Sequence, residues 1–215
     1  LVQDYPQSRN TPDAYVLIGE YYFENNNAYK ALQAYKAASE HTNHPKYGFA
    51  MYKLAWCYYN VGEYGTAIDT MKSVVQYSQT GGEGAAAKRR LTLQDEALKD
   101  LVRFFADAGE MDEAYAYFNK LGKKNLISAM LKRLADTYFE QGKFEECIRT
   151  YKRLIAEYKN SPKAPDYQNE IILANQKIGR KKETRAEIVR LLETYGKNSD
   201  SGWVRANSAD TDAMK

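Results

Sequence analysis

Two histidines are the first candidates for chemistry, because His41 and His44 lie three residues apart in the stretch EHTNHP, beside Glu40. Imidazole and carboxylate groups bind zinc, but a zinc site takes three or four protein ligands. The sequence offers no further ligand at a metal-binding spacing. We therefore expect solvent-exposed loop histidines, no metal and no cofactor.

A cysteine nucleophile is the second candidate, since cysteine and histidine are both present. Cys57 lies between Trp56 and Tyr58, and Cys147 occupies a small position in another apolar helical pattern. Reactive thiolates lie in partly exposed, electropositive surroundings, which neither pattern indicates. We expect two buried free thiols rather than a nucleophile or a disulfide.

Paired acids and a glycine-rich stretch are the remaining candidates. The pairs Asp112-Glu113 and Glu145-Glu146 stand at predicted helix starts, where carboxylates interact favourably with the positive end of the helix dipole. The glycines at Gly81, Gly82 and Gly84 lack the order of a phosphate-binding loop. The sequence therefore predicts no catalytic site, and a protein that is not an enzyme.

The elements that position these residues follow from a pattern that recurs along the chain. Spacings of three, four and seven place its members on one face of a helix. Its occurrences are Tyr15, Ile18, Gly19 and Tyr22; Met51, Leu54, Ala55 and Tyr58; Leu98, Leu101, Val102 and Phe105; and Leu131, Leu134, Ala135 and Tyr138.

A second helix is predicted after each occurrence. It is marked by a small residue and a large one four positions later: Ala31 and Tyr35, Ala67 and Met71, Ala114 and Phe118, and Cys147 and Tyr151. Gly62, Gly109 and Gly142 stand where a first helix must end, a position that favours glycine. Each unit is thus predicted to be a helix hairpin, with small residues allowing close approach of the two backbones.

A phrase near the start of the chain returns much later. Leu1 to Tyr5 and Pro12 match Leu154 to Tyr158 and Pro165 at a constant offset of 153 residues. The later copy ends a second helix, so we expect residues 1–11 to be the end of a truncated upstream repeat.

This pattern resembles the tetratricopeptide repeat, in which a large residue, Leu-Gly/Ala and Tyr are followed by Ala and an aromatic residue. The resemblance implies an all-α solenoid of about five helix hairpins in a right-handed superhelix over residues 12–195. The predicted repeats are 12–45, 48–81, 95–128, 128–161 and a partial 165–195. Residues 82–94 are predicted to form an insertion or an extended helix, starting near Ala85. Residues 196–215 are predicted to be a polar, linker-like tail, with Trp203 and Val204 docked on the preceding helix.

Composition limits the partners. The formal net charge of +3 in 215 residues predicts no nucleic-acid binding, since the basic residues form no dense cluster beyond Lys88-Arg89-Arg90. No apolar run reaches the roughly 20 residues that a membrane span requires. The chain begins at Leu1 rather than Met, and we expect a fragment whose true N-terminus, with any targeting signal, is missing.

The resemblance also implies a binding surface, because the first helices of such repeats line the concave side. The side chains expected there are Glu20, Phe23, Phe49, Tyr52, Trp56, Tyr59, Lys99, Arg103, Lys132, Asp136 and Phe139. Aromatic residues and arginine dominate binding energy at protein interfaces. The alternative is that the rings of the second repeat only cover the neighbouring first helix. The family's Lys/Asn clamp for a peptide carboxylate is not expected, because Val16 and Glu20 stand at the matching surface.

The resulting prediction is a non-catalytic scaffold that binds a protein or peptide. The phrase Tyr5-Pro6-Gln7-Ser8 and the tyrosine content resemble repeats of bacterial cell-envelope proteins, among them the barrel-assembly lipoprotein, the Tol–Pal coordinator and gliding-motility proteins. A periplasmic or outer-membrane-associated location is expected on that resemblance. Two alternatives remain: a regulatory adaptor located in the cytoplasm, and the interaction domain of a larger enzyme.

Overall fold

The computed structural model describes residues 8–80, 84–122 and 124–210 of the chain. It divides into two compact units, Leu1–Gly109 and Glu110–Lys215. The phrase at Leu1 to Tyr5 and the glycines Gly81 and Gly82 lie outside the described residues. The described residues contain α-helices and no strand, which confirms the predicted all-α fold class.

The first unit has five helices in its described part. They are α1 (Thr11–Glu24), α2 (Ala28–Ser39), α3 (Tyr47–Asn60), α4 (Tyr64–Gln79) and α5 (Gly84–Ala108). Here α1 and α2 form one hairpin and α3 and α4 form the next, and α5 carries the third occurrence of the first-helix pattern, Leu98 to Phe105. The 25-residue α5 includes residues 84–94, so that stretch of the predicted insertion is helical and continuous with the first helix that follows it.

The second unit has six helices in its described part. They are α6 (Met111–Lys120), α7 (Lys124–Glu140), α8 (Phe144–Glu157), α9 (Ala164–Lys177), α10 (Lys181–Tyr195) and α11 (Gly202–Asn207). Within this unit α7 and α8 form one hairpin, and α9 and α10 form the next.

The turns within the hairpins use a left-handed residue. Gly62 between α3 and α4 has φ of 84°, and Gly142 between α7 and α8 has φ of 73°. The turn between α1 and α2 has no glycine, and Asn26 adopts φ of 56° in its place. Asparagine is among the side chains that tolerate this conformation, so the first hairpin closes without the glycine that marks the others.

The close approach of two helices explains Gly19. A Cβ added to this glycine of α1 would lie 2.7 Å from the ring of Tyr35 on α2. Tyr35 is fully buried, as are Ala31 on α2 and Ala55 on α3. Small residues at these positions therefore let the large side chains fill the space between the helices.

The C-terminal tail contains a short helix, α11, where the sequence predicted a linker-like segment. Trp203 of α11 is 3% exposed, and its ring meets that of Tyr195 edge to face at a centroid distance of 5.1 Å. Its indole Nε1 donates to the carbonyl oxygen of Ser161 over 2.7 Å, and the Nδ2 of Asn207 donates to that of Asn160 over 3.2 Å. The helix is thus docked on the end of α10 and on the turn before α9.

Candidate protein-binding surface

The predicted surface residues of the second repeat lie together on α3. Tyr52, Trp56 and Tyr59 are spaced by four and three residues, so a helix places them on one side. That side contacts α5, and each of the three rings is only partly buried. We call these three residues, with Asp100, Arg103 and Asp107 of α5, the α3–α5 surface.

Asp100 holds two of these rings by their polar atoms. Its Oδ2 accepts a hydrogen bond from the hydroxyl of Tyr52 at 2.5 Å and another from the Nε1 of Trp56 at 3.1 Å. Burial and the hydrogen bond to Asp100 raise the pKa of Tyr52 above its ordinary value, so the phenol remains a donor. One carboxylate therefore fixes the orientation of both side chains.

Tyr59 makes the matching contacts about two helical turns further along α3. Its hydroxyl donates to Asp107 and accepts from the Nε of Arg103, which lies 3.1 Å away. Burial and the bond to Asp107 raise the pKa of Tyr59, and Arg103 opposes part of that rise. The guanidinium of Arg103 lies 5.6 Å from the ring centroid of Trp56 and 5.4 Å from that of Tyr59.

The same rings pack on the core through Phe104 of α5, which is fully buried. Tyr59 stacks on Phe104 at 4.5 Å with an interplanar angle of 11°, and Trp56 meets it edge to face at 5.1 Å. The rings therefore cover part of the neighbouring first helix, as the alternative interpretation of the sequence stated. They also keep a partly exposed edge, so their role in binding stays a prediction.

Phe23 and Phe49 lie in a different group of the first unit. The Nζ of Lys53 on α3 is 4.8 Å from the ring centroid of Phe23 on α1 and 5.6 Å from that of Phe49. Glu20 is partly exposed and contributes to the raised pKa of Tyr35, behind the larger effect of burial. This group therefore combines a cation with two rings.

Lys99 is exposed on α5, one helical turn before Arg103. Among the described residues, no carboxylate oxygen lies within 4 Å of the Nζ of Lys99 or Lys53. Arg103 has a carboxylate oxygen of Asp107 at 3.8 Å from its Nε. Within the part of the chain that the structure describes, Lys99 and Lys53 thus form no ion pair, whereas Arg103 pairs with Asp107.

The predicted residues of the second unit form separate contacts. The Nζ of Lys132 lies 2.7 Å from Oδ2 of Asp136 on the same helix, α7, and Asp136 also accepts a hydrogen bond from the hydroxyl of Tyr151 on α8. Phe139 meets Phe144 edge to face at 5.3 Å across the hairpin turn. Lys132 and Asp136 therefore act as a pair, and Phe139 packs locally.

Sequence reasoning missed Asp100, Phe104 and Asp107. The two hydroxyl-to-carboxylate bonds that hold Tyr52 and Tyr59 each span 48 residues. The two tyrosines are seven residues apart, and so are the two aspartates that accept from them. A comparison of neighbouring first helices would have found this equal spacing. The pattern within either helix alone does not contain it.

The other candidates for chemistry have structural contacts. His44 lies with its Nε2 3.4 Å from a carboxylate oxygen of Asp13, and its Nδ1 accepts from the backbone nitrogen of Lys46. The described residues contain no group of three or more potential metal ligands. Cys57 and Cys147 are buried free thiols, as expected, and burial raises the pKa of each to about 12.

One comparison with known proteins matches two segments of the chain to a repeat family. A family model described as tetratricopeptide repeat matches residues 49–78 and 131–161. No curated protein matches the sequence. No described helix has the length and apolar character that a membrane span needs.

Solved structures with similar folds are of low sequence identity. The chain is 18% identical to MamA protein, with 95% of this chain and 97% of that chain covered and a TM-score of 0.49. It is 16% identical to TPR-like repeats of a putative kinesin light chain from Podospora anserina. That match covers 86% of this chain and 95% of that chain, with a TM-score of 0.45. It is 15% identical to the TPR2AB domain of yeast Sti1, solved in a complex with pHSP90. That match covers 96% of this chain and 84% of that chain, with a TM-score of 0.39. Similarity at this level carries no information about ligands.

Proposed function

Since this chain contains tetratricopeptide repeats, we propose that it is a non-catalytic scaffold that binds a protein or peptide through the exposed side of its first helices. Hairpin repeats present an extended surface to a partner, and their binding energy is concentrated in a few aromatic and arginine side chains. The α3–α5 surface supplies both types.

The observation that supports this proposal most is the fixed geometry of the α3–α5 surface. Asp100 and Asp107 hold three partly exposed rings by their polar atoms, and Arg103 is held by Tyr59. Side chains that are already ordered lose little conformational entropy when a partner binds. A rigid, amphipathic surface of this kind is suited to recognition.

Site-specific photo-crosslinking tests the proposal. We would place p-benzoylphenylalanine at Lys99 on α5 and, as a matched control, at Lys36 on α2, since both positions are exposed lysines of the first unit. We expect a discrete protein adduct from position 99 in cells, lost when Trp56→Ala is added, and none from position 36. Equal labelling from both positions, or an adduct that is indifferent to Trp56, would overturn the proposed surface.

We also propose that the scaffold works in a complex of the bacterial cell envelope. The support is the resemblance of the phrase Tyr5-Pro6-Gln7-Ser8, together with nineteen tyrosines, to repeats of envelope proteins. Cell fractionation with an antibody to this chain tests the location. Recovery with envelope membranes or periplasm is expected, whereas recovery in the cytoplasm would favour the regulatory adaptor. If the protein crosslinked from position 99 is a subunit of an enzyme, the chain is better explained as the interaction domain of a larger enzyme.

A further inference from the structure

Arg103 is oriented by the protein along one edge only. Its Nε donates to the hydroxyl of Tyr59 over 3.1 Å, and its guanidinium lies against the rings of Trp56 and Tyr59. The hydroxyl of Tyr59 donates onward to Asp107, so both hydrogen-bonding roles of this phenol are used. These contacts fix the plane of the guanidinium before any partner binds.

The opposite edge of the same guanidinium is available. An arginine has five N–H donors, four of them on the two terminal nitrogens. Within the described residues, no acceptor bonds either terminal nitrogen of Arg103. The side chain is 59% exposed, so a partner can reach it. A planar pair of donors in this state matches the two oxygens of a carboxylate.

The acids of the α3–α5 surface accept hydrogen bonds from its aromatic side chains. One oxygen of Asp100 accepts from Tyr52 and Trp56, and Asp107 accepts from Tyr59. Asp107 is only 21% exposed, against 59% for Arg103. Of this ion pair the guanidinium is therefore the more exposed charge, and the ammonium of Lys99 is exposed one turn away.

We infer that the α3–α5 surface recognises an acidic segment of a partner protein, with Arg103 binding one of its carboxylates and Lys99 attracting a second. This inference rests on the proposed function and names the chemistry of the partner. Carboxylates fit better than phosphates, because Asp100 and Asp107 lie close by and repel a dianion more strongly than a single negative charge. The neighbouring ring of Trp56 accommodates an apolar residue of the same segment.

Peptide selection tests the inference and does not require the partner protein itself. The immobilised chain is used to select from a display library of random twelve-residue peptides. We expect an excess of Asp and Glu over the input library among the retained peptides. Affinities of individual peptides are then measured by fluorescence polarisation at several salt concentrations, since binding between charges weakens as salt rises.

Matched arginine variants locate the effect. Arg103→Gln is expected to weaken binding of the selected peptides about tenfold, the loss of one charge-assisted pair of hydrogen bonds. Arg89→Gln, a change of the same type at an exposed position of the same helix, should leave affinity unchanged. Lys99→Gln should weaken binding less and reduce its salt dependence. Circular dichroism shows whether each variant is folded. If Arg103→Gln does not fold, the comparison of Lys99→Gln with Arg89→Gln provides the test.

The possible results separate this inference from the proposed function. Retained peptides without an acidic excess, but lost on Trp56→Ala, would overturn the acidic partner and leave peptide binding at this surface intact. Equal losses from Arg103→Gln and Arg89→Gln would also overturn it. If no peptide is retained above the level of the Trp56→Ala variant, both the inference and the proposed peptide site are wrong.

Discussion

The indole Nε1 of Trp56 on α3 donates a hydrogen bond to the carboxylate of Asp100 on α5 over 3.1 Å. Tyr52 donates to the same oxygen, so a single acid joins two successive first helices. A surface that binds a partner is usually less stable than the core beneath it. Here the same contacts that order the surface also join α3 to α5, so we expect them to contribute to stability.

Asp100→Ala should destabilise the protein. It leaves the hydroxyl of Tyr52 and the Nε1 of Trp56 without their acceptor in a partly buried place, which costs about 1–3 kcal/mol. The measurement is the free energy of unfolding from urea titration. Asp95→Ala is the matched control, because Asp95 is an exposed aspartate on the same helix and its removal should change stability by less than about 0.5 kcal/mol. Equal effects of the two variants would show that the bonds to Asp100 contribute nothing.

The hairpins were predictable because their signals are local. Gly62 and Gly142 mark the ends of first helices, and the small residues Gly19 and Ala55 mark close contacts, all within short stretches of sequence. The contact between Trp56 and Asp100 was not predictable, since it depends on how α3 and α5, which are separated in the chain by α4, are aligned. Helix periodicity gives the face of a side chain but not its partner on another helix.

The helix in the tail was also missed, for a different reason. Trp203 is one of few large residues in a polar stretch, which was enough to predict docking, but six helical residues are too few for a periodic pattern to emerge. The hydrogen bond of its indole to the carbonyl of Ser161 spans 42 residues. Long-range contacts of single residues leave no trace in local composition.

Two buried tyrosines of the second unit should respond differently to loss of their hydroxyl. The hydroxyl of Tyr138 has no hydrogen-bond partner in the described residues, and burial raises its pKa to about 12. Tyr138→Phe removes an unsatisfied polar group and should leave stability unchanged or raise it by up to about 1 kcal/mol. Tyr151→Phe removes the bond to Asp136 and should cost about 1–2 kcal/mol.

Thermal and urea unfolding of the two variants give this comparison directly. Both substitutions delete one oxygen from a fully buried ring, so differences in packing largely cancel. A loss of stability in Tyr138→Phe as large as that in Tyr151→Phe would mean that the hydroxyl of Tyr138 finds a partner in solution.

Glu187 should contribute a pH-dependent part of the stability. It is 5% exposed on α10, and its carboxylate accepts from Gln168 at 2.8 Å and lies 2.9 Å from the Nζ of Lys152 and 3.0 Å from Arg190. Burial alone would raise its pKa, but Lys152, Gln168 and Arg190 outweigh burial and hold the pKa below its ordinary value of 4.5.

The sign of this contribution follows from the lowered pKa. The folded state favours the carboxylate, so the contribution is complete above pH 4.5 and is lost as the pH falls through the lower pKa of the folded state. We expect the stability difference between the unmodified protein and Glu187→Gln to shrink over that range. Glu170, whose pKa burial and Asp136 raise, has the opposite sign but cancels in the difference.

Urea titrations from pH 3 to pH 7 measure this difference. Glu193→Gln, an exposed change on the same helix, is the control and should give a small, nearly constant difference. A difference for Glu187→Gln that stays constant across the range would contradict the lowered pKa.

Trp203→Ala should release α11 without unfolding the second unit. The substitution removes the ring packed on Tyr195 and the hydrogen bond to Ser161, which are the main contacts of a six-residue helix. Short terminal elements open locally, so cleavage by trypsin after Arg205 should accelerate on the order of tenfold or more while the urea midpoint changes little. Val204→Ala is the control, because Val204 is only partly buried and its side chain makes no hydrogen bond.

Mass spectrometry of the tryptic products distinguishes release of α11 from a general loosening of the tail. Cleavage after the exposed Lys197, which precedes α11, should proceed at similar rates in the unmodified protein and in both variants. Only cleavage after Arg205, which lies inside α11, should depend on Trp203, because a protease needs an extended backbone that the docked helix does not offer. Rapid cleavage after Arg205 in the unmodified protein would show that α11 is not docked in solution.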